Sequence, residues 1–203
     1  MNHIIGIIGT NSEQSTNRTL LTFMARHFAK DATIEVVEIK DIPMFNKPSN
    51  MEVPKEALAL AAKIEAADGV IISTPEYDHA VTASLMNALS WLSYGIYPFV
   101  DKPVMITGAS YGTLGSSRAQ AHLRQILNAP ELKARIMPSS EFLLGHSLQA
   151  FDEEGNLKDQ IQVAELEGLF RDFTTFMAIM KQLNHAHEAN KKAAENFSWE
   201  DNK

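Results

Sequence analysis

The residues best suited to chemistry fall in three polar stretches. Gly9-Thr-Asn-Ser-Glu-Gln-Ser-Thr-Asn17 carries Thr10, Ser12, Ser15 and Asn17, each able to donate to a phosphate oxygen. A loop of this kind entering a helix also offers an anion the first backbone N–H groups and the positive end of the helix dipole. Ser15 and Asn17 are equally good helix caps, so a well-capped helix is the plainer reading of the same residues. The stretch is not a Walker A loop, because GxxxxGK[ST] is absent. Nor is it a dinucleotide fingerprint, because Gly6 and Gly9 do not make G-x-G-x-x-G. The second stretch is Ser73-Thr-Pro-Glu-Tyr-Asp-His79 and the third is Ser110-Tyr-Gly-Thr-Leu-Gly-Ser-Ser117.

Gly108-Ala-Ser110-Tyr-Gly112 also matches the hydrolase pattern G-x-S-x-G. A nucleophile elbow turns straight from strand into helix, whereas Gly115 and two further serines delay the helix here. Asp152 and His185 would supply the remaining triad order, but His185 falls in a polar tail. His185-x-His187 has metal-ligand character, although two histidines in such a tail are most simply solvated. No metal site is expected.

Each polar stretch needs a strand before it and a helix after it. Ile4–Ile8, Gly69–Ser73 and Pro103–Ala109 are short apolar runs, which reads as buried parallel strands. Thr33–Glu38 alternates and predicts a strand nearer a sheet edge, and Ile136–Phe142 predicts a short fifth strand. Helices are expected over Asn17–Ala29, Pro54–Ala67, Arg118–Leu127 and Gln160–Leu183. In the last of these, Ile161, Leu166, Leu169, Phe173, Phe176 and Met180 form the apolar side. Val81, Leu85, Ala88, Leu89 and Leu92 recur at helical spacing, with Thr82 or Ser84 as the cap. Pro75 fixes its own φ and holds Thr74 extended, so the chain must turn out of its strand there. Asp41–Pro54 is a long proline-bearing connection, and loops of that length often border ligand sites.

Five alternations of strand and helix predict an α/β fold, a doubly wound parallel sheet with right-handed crossovers. Ligands in such sheets bind at the carboxyl ends of the strands, where the three polar loops emerge. The chain has 203 residues, 45% hydrophobic and 21% charged, ordinary for a globular protein. We read residues 1–184 as a single domain and 185–203 as a polar tail, helical at first and then fraying. A net charge of −7 and a pI near 5.5 argue against nucleic acid or an anionic membrane as partner. With no cysteine there is no disulfide, thiolate nucleophile or cysteine-ligated metal. No run approaches the roughly 18 apolar residues of a membrane span. Met1-Asn-His-Ile-Ile lacks a basic signal-peptide start, and a cytoplasmic location is expected.

Three motifs taken together resemble the NAD(P)H-dependent FMN reductases, a flavodoxin-like group that includes azo-, quinone- and chromate-reducing enzymes. Gly9-Thr10-x-Ser12-x-x-Ser15-x-Asn17-Arg18-x-Leu20 is similar to their phosphate loop. Thr74-Pro-Glu-Tyr77, followed by Leu85-x-Asn87-Ala-Leu-x-Trp91, is similar to their flavin-side loop and helix. Gly108-x-Ser110-x-Gly112-x-x-Gly115-x-x-Arg118-Ala-Gln-x-x-Leu123-Arg124 resembles the third motif. The matches keep the family's order and span residues 1–145.

The resemblance implies a flavodoxin-like five-stranded parallel sheet in the order 2-1-3-4-5 with helices on both faces. It implies FMN as cofactor, with its phosphate held by Thr10, Ser12, Ser15, Thr16 and Asn17. The flavin would meet Pro75, Glu76, Tyr77 and Asp78 on one side and Ser110, Tyr111, Gly112 and Thr113 at its pyrimidine edge. Gly108, Gly112 and Gly115 would permit close backbone approach. Hydride from NADPH or NADH would pass through the flavin to a small acceptor: a quinone, an azo or nitro compound, a flavin or a metal oxyanion. His79 would stabilise negative charge on reduced flavin or polarise the acceptor, unless it is an ordinary loop histidine. Tyr77 would stack on the ring or pack the loop. Arg118 would bind a dinucleotide phosphate or pair across a subunit contact.

The chain departs from the family at several points. Ser12 stands where Arg is usual, Thr82-Ala83 where Pro-Gly is usual, and Asp78 where Asn follows the Tyr. Met86 and Ser90 replace a Lys and an Asp. These changes bear on the nicotinamide and the acceptor more than on the flavin. The rival function is a flavodoxin-type electron carrier or flavin-binding module, which needs no nicotinamide turnover. The apolar faces of Leu85–Leu92 and of the final helix, with Trp91 and Tyr94, suggest a homodimer or homotetramer.

Overall fold

The computed structural model describes residues 1–138, 141–183 and 186–196. His185 and residues 197–203 lie outside them, so the His185 readings are not carried further. In chain order the elements are β1 (Asn2–Ile8), α1 (Thr16–His27), β2 (Ala32–Val37), α2 (Lys55–Ala66), β3 (Gly69–Ser73), α3 (Ala83–Trp91) and β4 (Pro103–Ala109). There follow α4 (Ser117–Leu127), β5 (Arg135–Ile136), β6 (Phe142–Leu144), α5 (Ser147–Ala150), α6 (Gln160–Gln182) and α7 (His187–Glu195). The sheet is parallel in the order β2-β1-β3-β4-β5, with β6 also paired to β4.

The core follows from the two-residue period of the strands. Ile5, Ile7, Val70, Ile72, Val104 and Ile106 face one way and pack with Leu60 and Ile64 of α2, Leu85 and Leu89 of α3 and Leu123 and Leu127 of α4. Ile4, Ile8, Ile71 and Met105 face the other way, onto Leu20, Leu21 and Met24 of α1 and Leu166, Phe170, Phe173 and Met177 of α6. Both faces are covered, which is why these strands read as unbroken apolar runs.

Three expectations are corrected. The fifth strand is two short strands on the same edge: Arg135–Ile136 pairs with Pro103–Val104, and Phe142–Leu144 pairs with Thr107–Ala109. Pro138 lies between them and has no N–H to give a ladder. On α6, Ile161 is exposed, while Phe170 and Met177 are buried; the apolar stripe is rotated from the expected one. Finally, Leu85, Leu89, Leu92 and Trp91 are all buried within the chain's own core, so they offer no face to a second subunit.

The edge of the sheet away from the polar loops is closed by α7. Asp101, buried and at φ 58°, accepts through both carboxylate oxygens from Asn190 Nδ2, at 3.1 Å to Oδ1 and 2.9 Å to Oδ2. Its carboxylate also meets Arg135 at 2.7 Å and His187 at 3.2 Å.

Candidate active site

The loops after β1, β3 and β4 meet at the carboxyl edge of the sheet around a cavity of about 490 Å³, within the range of small-molecule sites. Thr10, Ser15, Thr16 and Asn17 line it from the first loop and the start of α1. Pro75, Glu76 and Tyr77 line it from the second, and Ser110, Tyr111, Gly112 and Thr113 from the third. Ala109 and Leu114 complete the wall; both are apolar, and sequence reasoning aimed at polar residues passed over them. Ser12, Asp78 and His79 do not line the cavity.

Ser15 caps α1, its Oγ accepting from Arg18 N at 3.3 Å. The N–H groups of Thr16 and Asn17, as the first two helical residues, have no partner within the helix. Ser12 is turned away because its hydroxyl donates to Gln14 O at 3.0 Å. Asn17 is buried, and its side chain is spent inside the protein. Its Nδ2 donates to Ala109 O at 2.9 Å, while its Oδ1 accepts from Ala109 N (2.9 Å) and from Ser73 Oγ (2.8 Å). The amide thus ties the start of α1 to the ends of β3 and β4.

The second loop is a tight hairpin. Tyr77 and Ala80 exchange both backbone hydrogen bonds (3.1 and 3.0 Å), and Asp78 and His79 between them have φ of 50° and 64°. Two positive φ values in succession define a type I′ turn, which carries its central side chains out to solvent. That is why Asp78 and His79 leave the wall. Glu76 turns the other way and caps α4: its Oε2 accepts from Arg118 N (2.9 Å) and Ala119 N (3.2 Å). Ser116, the formal cap of α4, makes no such bond. Arg118 lies 3.6 Å from Glu76 Oε1 and so pairs within the chain. Thr82 caps α3 through Leu85 N and donates to Gly9 O at 2.7 Å, binding the first loop to the second.

A fourth segment, after β6, supports the site and was not legible in the sequence. Ser147 N donates to Ser110 O (3.0 Å), His146 N to Gly112 O (2.9 Å), and the Ser147 hydroxyl meets that of Thr16 at 2.8 Å. Beside the main cavity lies a smaller one of about 240 Å³ that shares Tyr77 and includes Ile42 and Met44 of the long 41–54 connection. That connection therefore borders this adjoining cavity, and none of its residues lines the main one. It is held there by Asn87, which accepts from Phe45 N at 2.7 Å, and by Trp91 Nε1, which donates to Pro43 O at 2.8 Å. Tyr77, half exposed, stands between the two cavities with its hydroxyl 3.4 Å from Thr10 Oγ1.

The three motif glycines have different duties. A Cβ on Gly108 would collide with Thr74 O and Ser116 Oγ, and one on Gly115 with the Leu143 backbone; both serve packing within the protein. A Cβ on Gly112 would meet nothing within 4 Å, so this bare backbone faces space a flat ligand can enter. That opening, the ligand-sized cavity and the N–H groups at the start of α1 fit a flavin mononucleotide. Among the described residues no helix is long and apolar enough to cross a membrane, and no cluster of three or more metal-ligating side chains occurs.

The fold is that of a flavodoxin-like α/β protein, with a ligand-sized cavity at the carboxyl edge of its sheet. Residues 2–149 match the model of the NADPH-dependent FMN reductases, and the chain belongs to that family. It is 53% identical, over 98% of each chain, to an NADH:(hydroxy)cinnamate reductase subunit of Vibrio ruber. It is 39% identical to subunit 2 of an NADH-dependent flavin reductase of Lactobacillus johnsonii, over 86% of this chain and 96% of that one. A quinone reductase of Escherichia coli K12 is 39% identical over 70% of this chain and 77% of its own. Among solved structures, a flavoenzyme NAD(P)H:(acceptor) oxidoreductase of Paracoccus denitrificans superposes with a TM-score of 0.78 at 23% identity, covering 89% of this chain and 99% of that one. That likeness speaks to the fold. The chain is thus a member of a family of NAD(P)H- and FMN-dependent oxidoreductases, which favours an enzyme over a simple electron carrier.

Proposed function

We propose that the 490 Å³ cavity binds FMN, and that the chain moves two electrons from a nicotinamide donor through this flavin to a small acceptor of the quinone, azo, nitro, flavin or metal-oxyanion kind. The observation that carries the reading is the meeting of all three motif-bearing loops on one cavity. The hydroxyls of Thr10, Ser15 and Thr16, with the N–H groups that begin α1, hold the phosphate. Ser12 shapes the loop from outside the wall. The backbones of Pro75–Tyr77 and Ser110–Thr113 position the ring, and Tyr77 and Tyr111 flank the mouth. Once bound, the flavin supplies hydride acceptance and donation, so no protein nucleophile is needed; a chain without cysteine is well suited to this.

We infer NADH as the preferred donor. The relatives from Vibrio ruber and Lactobacillus johnsonii carry NADH in their names. The cavity wall contains no Lys or Arg to meet the extra phosphate of NADPH. The working unit is proposed to be a homodimer or homotetramer in the cytoplasm. The test is an absorbance spectrum of FMN-loaded protein before and after anaerobic addition of NADH and NADPH. Bleaching within seconds by NADH supports the reading. A bound flavin that ignores both donors would point to a carrier, and failure to take up FMN would overturn the cofactor assignment.

A further inference from the structure

Arg18 breaks a local rule. It occupies the third position of α1, where the helix dipole disfavours a cation and an acid is usual, and the first turn of α1 contains no acid. It is also wholly engaged. Its Nε and Nη2 form a two-pronged pair with Glu38 at 2.6 and 3.0 Å. Nη1 donates to Glu13 O at 2.9 Å and Nη2 also to Ser12 O at 3.0 Å. Glu38 raises the guanidinium's pKa above its usual value. Arg18 forms no part of the cavity wall.

We propose that Arg18, held by Glu38, is a positioning residue for the phosphate loop, and that it aids phosphate binding without touching the phosphate. The peptide bonds here are all trans, so each C=O points opposite to the N–H that follows it. Drawing the carbonyls of Ser12 and Glu13 onto the guanidinium therefore turns the N–H groups of Glu13 and Gln14 away from it, to the other side of the loop. Glu13 and Gln14 do not line the cavity themselves; fixing their peptides sets how the chain enters Ser15 and Thr16, whose N–H groups and hydroxyls stand on the wall. Glu38 fixes the guanidinium so that both carbonyls are held at once, and cancels a charge that would otherwise oppose the helix dipole. A preorganised outer partner of this sort governs how well an inner site is formed. The inference rests on the reading of the first loop as the FMN phosphate site.

The test compares FMN with riboflavin, which lacks the phosphate, by flavin-fluorescence titration of the full-length apoprotein. Wild type, Arg18→Met, Arg18→Lys and Glu38→Gln are measured, with thermal unfolding of each apoprotein alongside. Arg18→Met is expected to weaken FMN binding by roughly tenfold, the scale of losing one hydrogen bond to a charged group, and to leave riboflavin unchanged. Arg18→Lys, with one donor centre in place of the fork, falls between. The sign at Glu38→Gln is decisive. If Arg18 works by holding the loop, loosening it weakens FMN binding. If Arg18 works as a bare charge, removing its counter-ion tightens FMN binding, and the proposal fails. Equal losses for FMN and riboflavin would reduce Arg18 to a structural residue and also overturn it. Equal affinity of the wild type for both ligands would instead sink the phosphate-loop reading on which the proposal stands. A wild type that prefers FMN, with variants that keep that preference, would overturn the proposal alone.

Discussion

Asn17 and Gly112 separate residues that build the site from residues that leave room in it. Replacing Asn17 with Ala removes the acceptor for Ala109 N–H and the Ser73 hydroxyl, and the donor to Ala109 O, in a buried place. The expected loss is about 2–4 kcal/mol, since each orphaned buried group costs ~1–3 kcal/mol. Urea denaturation of the apoprotein checks this, and a loss within error of zero would contradict it. The type of Asn17 and its place at a helix start were legible in the sequence; its partners, 56 and 92 residues away, were not. At Gly112 the expectation reverses. Gly112→Ala should leave apoprotein stability unchanged while lowering FMN affinity, because its methyl group meets no protein atom within 4 Å on a residue of the cavity wall. Gly108→Ala should destabilise the apoprotein itself, because its methyl group strikes Thr74 O and Ser116 Oγ. Differential scanning of the two apoproteins, with FMN titration of the first, distinguishes these roles. At Ser12, restoring the family's Arg should shift the ratio of kcat/KM for NADPH over NADH upward. An unchanged ratio would show that donor choice is made elsewhere.

Between elements, one carboxylate often does the joining. Asp68, between α2 and β3, accepts from His3 N at 2.8 Å and pairs with Lys181 of α6 at 2.7 Å. Burial alone would raise its pKa, but the bonds from Lys181 and His3 outweigh burial and hold it below the usual value. A carboxyl lowered in the folded state stabilises the fold above its unfolded pKa, about 3.9, and that stability is lost as pH falls through the lower folded value. Asp68→Asn should therefore flatten the acid-side fall in stability below about pH 4, measured as unfolding midpoint against pH; an unaltered profile would rule Asp68 out as a contributor. Strands β1, β3 and β4 were legible as unbroken apolar runs, the mark of strands covered on both faces, and α1 by the helical spacing of its apolar residues. After β4, helices α4 and α6 were legible in the same way, but the strands and the segment between them were not. Two- and three-residue strands split by Pro138 carry too little pattern to be told from a loop, so the 144–147 segment that braces Ser110 and Gly112 left no trace in the spacing. The turn at Asp78-His79 was nearly as hidden: Asp and His tolerate positive φ better than most residues, but without Gly or Asn the signal for two in succession is weak.

At the scale of the whole molecule, the question is what covers the apolar side chains that the fold leaves outside. Of the residues first expected to form a subunit contact, Leu85, Leu89, Trp91 and Leu92 are consumed by the chain's own core, so an interface along α3 must give way to another surface. Tyr111 and Leu114, 57% and 48% exposed, stand on the cavity wall itself, and Leu148, 60% exposed, follows directly on the Ser147 that braces Ser110. Apolar groups left open beside a site are costly to leave wet, and a two-fold contact places the same patch of each subunit against its copy. On this argument we propose that a homodimer would form across the cavity rim, not along the buried face of α3, and would screen the bound flavin from water. Sedimentation velocity at micromolar concentration should give twice the chain mass for the wild type. Leu114→Glu with Leu148→Glu should return it to the monomer while the circular dichroism spectrum stays native, because neither side chain contributes to the buried core. A wild type that sediments as a monomer would remove the dimer. A double variant that remains dimeric would place the interface elsewhere, with the exposed Ile161 and Ile179 of α6 the next surface to substitute.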